Sequence, residues 1–274
     1  MTPALHRQLA DTRVVDLSRP YEVGMPQSPN HPRYSHTLPR RHGDSVRADG
    51  GSAANDLIVL GTHVGTHMDA VAHVSQDGLL HGGIDATSAS VGGRFSALGI
   101  DGVTPLLGRG VLLDVPAALG VDECAPAYEI TPADLDAAMA LTEVSAEPGD
   151  VLLVRSGWGR RWDDGEAYLG KLSGVPGVGE DGARWLASRQ PSAVGADTIA
   201  FEHLPAGRGH AALPAHRVLL VEHGINIIET MDLEVLAEAT AANGTRAFAV
   251  IVIPLKLVGA TGSPVRPLAL LGTP

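Results

Sequence analysis

A series of short apolar runs separated by helix signals constrains this chain more than any other feature of its sequence. The runs cover residues 13–17, 56–60 (DLIVL), 110–115 (GVLLDV), 150–157 (DVLLVRSG), 192–198 (SAVGADT), two blocks within 216–229 (HRVLLVEHGINIIE) and 246–255 (RAFAVIVIPL). Continuous rather than alternating apolar character marks strands covered on both faces, so 56–60, 110–115 and 150–157 read as buried strands and the two blocks RVLLV and INII as core strands. Helix signals lie between them. Thr131, followed by Pro132 and Asp134, supplies an N-cap with Pro at N1 and predicts a helix to about Leu141. Further helices are expected over 3–10, 180–189 and 232–242. The alternation predicts a mixed α/β fold and, with no repeat, linker or low-complexity block, one domain over 1–274. Within it, 1–50 form an N-terminal arm and loop region, because 20–39 are too broken by Pro for regular structure.

Composition narrows the function. The formal net charge is −11 and there is no Lys/Arg run, so the chain lacks the positive footprint that a nucleic acid or an anionic membrane requires. A single cysteine, Cys124, excludes an internal disulfide. No signal-peptide core and no apolar stretch of about 18 residues are present, and the expected location is cytoplasmic. A small-molecule substrate is the expected partner.

The chemistry concentrates in GTHVGTHMDAVAH, where His63, His67, Asp69 and His73 stand at i, i+4, i+6 and i+10. On a helix Asp69 would sit roughly 120° from His67. Gly65 and Thr66 also disfavour a helix. On a strand His67 and Asp69 point the same way, and Gly65 lets the chain bend so that His63 comes alongside. Two imidazoles and a carboxylate are a common ligand set for catalytic Zn²⁺ or Mn²⁺ with a position left for water. The competing reading, four unrelated histidines and carboxylates satisfied by backbone, is harder to reconcile with four such residues in eleven positions. Ser156 lies in no G-x-S-x-G elbow, and GATGSP and GVPGVGEDG lack nucleotide-binding context, so both read as turns.

The pattern HVGTHMDAVAH resembles the H-x-G-T-H-x-D-x-x-x-H signature of the metal-dependent cyclase/hydrolase family, which includes bacterial kynurenine formamidase, isatin hydrolase and certain aromatic polyketide cyclases. VVDLSRPYEVGMPQSP, PGDVLLVRSGWGRRW, VGADT and PLKLVGATGSPVRPLAL resemble further segments of the same family. The resemblance implies a mixed β-sheet or partly open β-barrel flanked by helices, of the kynurenine formamidase-like swivelling β/β/α type, assembled as a homodimer or homotetramer. It implies a metal held by His63, His67 and Asp69, with His73 as general acid/base. In two-metal members Asp69 bridges to a second ion, and the positions carried over for that ion are His216 and Glu229. The cofactor is then one or two divalent ions, Zn²⁺ or Mn²⁺. Without the resemblance, His216 and Glu229 read as surface residues flanking core strands rather than as ligands.

Kynurenine formamidases place Trp before the Pro of the N-terminal loop, whereas this chain has Ser28 before Pro29, and Val71 stands where many members have Pro. Ser28 is therefore a candidate substrate contact in a differently shaped pocket. The Gly- and Pro-rich FEHLPAGRGHAALPAH adds His203 and His210 as candidates, while His223 reads as a solvated turn residue. The expected activity is hydrolysis, by a metal-activated water, of an amide, lactam, formamide or lactone bond in a small aromatic substrate. A polyketide-type cyclase and a metal-binding protein without catalysis are the alternatives.

Overall fold

The computed structural model describes residues 11–272, and the helix expected over 3–10 lies outside them. Four strands come first: β1 (Thr12–Asp16), β2 (Ser35–Arg40), β3 (Asn55–Val59) and β4 (His67–Asp69). A small hairpin, β5 (Ser90–Val91) with β6 (Arg94–Phe95), precedes the long β7 (Leu106–Asp114). Then follow β8 (Glu129–Ile130), β9 (Val151–Arg155), β10 (Gly177–Val178), β11 (Ala193–Ala196), β12 (Asn226–Glu229), β13 (Ala247–Val252), β14 (Gly262–Pro264) and β15 (Leu268–Gly272). Nine of these form one curled mixed sheet in the order β1-β15-β13-β7-β9-β11-β12-β4-β14. Its centre, β7-β9-β11-β12, is parallel, and both flanks are antiparallel.

Side chains of the central strands alternate between two cores, as the pleat requires. Val111, Leu113, Leu152 and Val154 face the helices Pro132–Ala140 and Glu180–Ala187, while Leu112, Val151 and Leu153 face the helix Glu234–Asn243. All five residues of β9 and all four of β11 are buried, which is why those segments carry unbroken apolar runs. The helix Pro132–Ala140 starts at the expected place: Thr131 accepts from Asp134 N, and the Asp134 carboxylate accepts in return from Thr131 N.

Expectations are corrected in two places. The run 56–60 contributes β3, but β3 pairs only with β2 in a two-stranded ribbon, so Leu57, Ile58 and Val59 are exposed rather than buried. The same pairing makes residues 35–40 a regular strand although the stretch 20–39 was expected to have none. The second correction concerns RVLLV, which is helical. Pro214 opens the helix Pro214–His216, which continues into a wide π-type segment, Arg217–Glu222, and Val218, Leu219 and Leu220 are buried in the core against the helix Glu180–Ala187. An apolar run buried on every side has the same sequence appearance in a strand or a helix. No helix of the described residues is long and apolar enough to cross a membrane.

Candidate metal centre

β4 organises the site. His67 and Asp69 leave this three-residue strand on one face, while Met68 between them enters a core. The preceding turn depends on Gly65, whose φ of +61° is a left-handed conformation. Space matters there as well: a Cβ on Gly65 would lie 2.7 Å from Tyr21 Cζ. The Tyr21 hydroxyl sits 2.9 Å from the Val64 carbonyl and 2.6 Å from that of Thr66, holding the turn on both sides of Gly65. So bent, the chain brings His63 Nδ1 to 2.6 Å from Asp69 Oδ1.

The other half of the site arrives from the parallel part of the sheet. β12 runs antiparallel to β4 with Glu229 directly opposite His67, and His216 enters from the helix Pro214–His216. His67 Nε2 lies 3.4 Å from both Asp69 Oδ1 and Glu229 Oε2, and His216 Nε2 lies 3.1 Å from Glu229 Oε1 and 3.7 Å from Asp69 Oδ2. Two groups result, His63/His67/Asp69 and Asp69/His216/Glu229, each with its ligand atoms within 4.8 Å of one another. Asp69 belongs to both.

The pattern of hydrogen bonds shows which atoms face inward. His67 Nδ1 lies 2.8 Å from the Gly65 carbonyl, His216 Nδ1 lies 2.9 Å from Glu202, and His63 Nε2 lies 2.8 Å from the Thr261 hydroxyl. On the inner side His67 Nε2, Asp69 Oδ2 and Glu229 Oε1 are buried with no hydrogen-bond partner. Each such atom costs about 1–3 kcal/mol unless something fills its coordination. Three of them converging among carboxylates and imidazoles fit a divalent cation.

Electrostatics agree with that fit. Burial pushes the Asp69 carboxyl up, but the imidazoles of His73, His63 and His216 outweigh it and hold Asp69 well below the usual carboxylate range. Burial disfavours charge on His216, yet the carboxylates of Asp69, Glu202 and Glu229 hold its imidazole well above the usual value. His67 is likewise raised, against burial, by Asp69 and Glu229. The cluster is rich in negative charge and draws positive charge inward.

His73 belongs to neither group. It ends the 3₁₀ turn Val71–His73, and its ring stacks on that of His63 with centroids 3.8 Å apart and planes at 23°. Burial, opposed by Asp69, pushes its imidazole down to about 3. Ser28 and His210 line a cavity of about 240 Å³ whose walls also include Asn30, Leu169, Ile199 and Leu204. Burial, together with the neighbouring His216 and against Glu229, holds the His210 imidazole below its usual value. His203, expected beside it, is directed elsewhere: its Nε2 donates to the Ala127 carbonyl at 3.0 Å. Glu202 and Leu204 bridge to Val178 and Val175, so the segment is extended and His203 between them faces the opposite side. His223 is exposed.

Three neighbours of the centre lie in stretches the sequence marks but are not singled out by it as residues. Glu202 is completely buried beneath His216, Thr261 closes off His63, and the His31 ring lies 5.4 Å from that of His63. His31 sits in the Pro-rich loop already associated with the pocket, the only hint it offered.

A family model described as "Putative cyclase" matches residues 15–203, more than half of the chain. The chain belongs to the cyclase family. Among curated relatives, the isatin hydrolase of Roseibium aggregatum is 28% identical over 234 residues, covering 82% of this chain and 77% of the relative. Cyclase-like protein 3 of Oryza sativa subsp. japonica is 26% identical over 218 residues, covering 80% and 66%. A crystal structure described as a novel cyclase superposes with a TM-score of 0.86 at 30% identity, covering 98% of this chain and 93% of the other. An isatin hydrolase bound to the product analogue thioisatinate shares the fold, with a TM-score of 0.75 at 22% identity and full coverage of both chains. The chain is accordingly an enzyme of a hydrolase/cyclase family with a centre suited to a divalent metal.

Proposed function

We propose that this cyclase-family enzyme is a metal-dependent hydrolase that cleaves an amide, lactam, formamide or lactone bond in a small aromatic substrate. The observation that carries the reading is the convergence of three unpartnered buried atoms, His67 Nε2, Asp69 Oδ2 and Glu229 Oε1, beside an imidazole that is not itself a ligand. Similarity to the Roseibium aggregatum isatin hydrolase supports hydrolysis in particular.

His63, His67 and Asp69 would hold one ion, and His216 and Glu229, with Asp69, the other side of the centre. A bound divalent ion supplies Lewis acidity, which polarises a carbonyl and acidifies water. His73, kept neutral by burial, has a free lone pair with which to take a proton from the attacking water and return it to the leaving nitrogen or oxygen. Its stacking on His63 fixes the ring plane beside the ligands. Leu169, Ile199 and Leu204 offer apolar contact to a flat ring, and Ser28 and His210 offer polar contacts at the edge. A cavity of about 240 Å³ accepts about a dozen non-hydrogen atoms at interior packing density, the size of a fused bicycle.

The test couples elemental analysis of the purified protein to a hydrolysis screen of isatin, N-formylanilines and aromatic lactones. Expected are stoichiometric divalent metal and turnover of at least one class with a mass gain of one water. His73→Ala should keep the metal and lose about 10²–10⁴-fold in turnover, and unchanged turnover would refute the role given to His73. Similarity to Cyclase-like protein 3 favours ring closure as the second reading, and a product of unchanged mass would select it.

A further inference from the structure

Glu202 stands outside both ligand groups, yet it is completely buried and saturated with donors. Its Oε1 accepts from Ala215 N at 2.7 Å, and its Oε2 accepts from His216 N at 3.1 Å and faces His216 Nδ1 at 2.9 Å. We propose that Glu202 is a positioning residue: it holds His216 with Nδ1–H directed at its carboxylate, so that the Nε2 lone pair is presented between Asp69 and Glu229 and divalent-cation affinity rises. The inference rests on the metal reading above.

The two backbone bonds alone would make Glu202 a helix cap, and three features argue for more. The first is that the two backbone N–H donors fix the carboxylate where only an Nδ1–H can meet it, since an Nε2–H tautomer would set two lone pairs face to face across 2.9 Å. Next, the ligand imidazoles are not treated alike. The outer nitrogen of His63 meets a hydroxyl and that of His67 a backbone carbonyl, whereas His216 alone meets a carboxylate. An outer carboxylate both selects the tautomer and makes the inner nitrogen a stronger donor. The third feature is place. Glu202 lies on the segment bridged to Val178, whose alternate residue Leu204 lines the substrate cavity, so the same backbone sets the ligand and the pocket wall.

The experiment measures Co²⁺ binding, by calorimetry and by visible absorption, to protein stripped of metal by chelation. Four proteins are compared: wild type, Glu202→Gln, His216→Ala and the double variant. Glu202→Gln preserves volume but cannot satisfy all three donors, because its amide nitrogen must replace one acceptor. The expected result is a loss of about 10–100-fold in Co²⁺ affinity in Glu202→Gln, and no further loss when the same change is made in His216→Ala. Wild-type affinity in Glu202→Gln overturns the proposal, as does an equal loss in the absence of His216. Wild-type protein that binds no Co²⁺ overturns the metal reading and this inference together, whereas normal wild-type binding with an unaffected variant overturns this inference alone. Should Glu202→Gln fail to fold by circular dichroism, long-range ¹H–¹⁵N correlation on Zn²⁺-loaded wild type, in which a ligating His216 carries one ring proton, decides instead. His216 protonated at Nδ1 upholds the assignment, and His216 unprotonated at Nδ1 overturns it.

Discussion

Replacing Gly65 by Ala should be among the most damaging single-methyl changes possible in this chain. The backbone there is left-handed at φ +61°, which costs an L-residue about 1–2 kcal/mol. The added Cβ would also stand 2.7 Å from Tyr21 Cζ and 2.9 Å from its Cε1, so the ring must retreat. Retreat breaks the hydroxyl's contact with the Val64 and Thr66 carbonyls, worth about 1 kcal/mol. The sum is about 2–3 kcal/mol, or about 4–12 °C in Tm for a domain of this size. The change reaches the metal centre too, because the Gly65 carbonyl fixes His67 Nδ1. Thermal unfolding followed by circular dichroism, at fixed protein and metal concentration, reads the stability effect. Removing the ring in Gly65→Ala/Tyr21→Ala relieves the collision but not the φ strain, so the double variant should be less destabilised than the sum of the single variants by about 1–2 kcal/mol. A Tm within about 2 °C of wild type for Gly65→Ala, or strict additivity in the double variant, would refute the reasoning.

Asp69→Asn removes the residue common to both ligand groups, so bound divalent metal should fall to background by elemental analysis, while Glu229→Gln should retain metal through His63, His67 and Asp69. Asp114 accepts from Arg155 and Arg246 at 2.7 Å each, and these partners outweigh burial to hold its carboxyl below the usual value. Its stabilisation is therefore present above the unfolded-state value and lost as pH falls through the folded one. Asp114→Asn should lower stability by about 3 kcal/mol at neutral pH and flatten the acid limb of a Tm-against-pH curve, and an unchanged acid limb would contradict this. Burial pushes the Cys124 thiol up to about 12, so native protein at pH 8 should resist a thiol reagent that reacts at once after denaturation. Thr131→Ala removes one half of the capping box and should cost about 1 kcal/mol in denaturant unfolding.

Local rules made much of the structure legible. The period of two in a strand put His67 and Asp69 on one face, and the Thr131 cap and the unbroken apolar runs located a helix and the central strands. What failed was whatever depends on distant neighbours. The runs 56–60 and RVLLV look alike in one dimension, yet one pairs in an exposed ribbon and the other packs as a helix, and only the partners differ. Glu202 stands beside His203 in a stretch marked only by its Gly and Pro content, and its contacts arise because residues 13 and 14 positions later fold back over it. His203 misled for the opposite reason: loop composition pointed to the pocket, but alternation along an extended segment turned it away.

The register of β4 against its neighbours has an evolutionary consequence. His67, Asp69 and Glu229 project from paired strands, so their separations are inherited from backbone hydrogen bonding, the least mutable spacing a protein possesses. The walls of the cavity come instead from the stretches around 28–30, 169–171 and 204–210, outside the paired strands. Apart from the 202–204 segment, which carries both Glu202 and Leu204, the ligand spacing and the cavity lining are thus held by separate parts of the chain. Substitutions in those loops can reshape the cavity while the spacing of His67, Asp69 and Glu229 is left as it is.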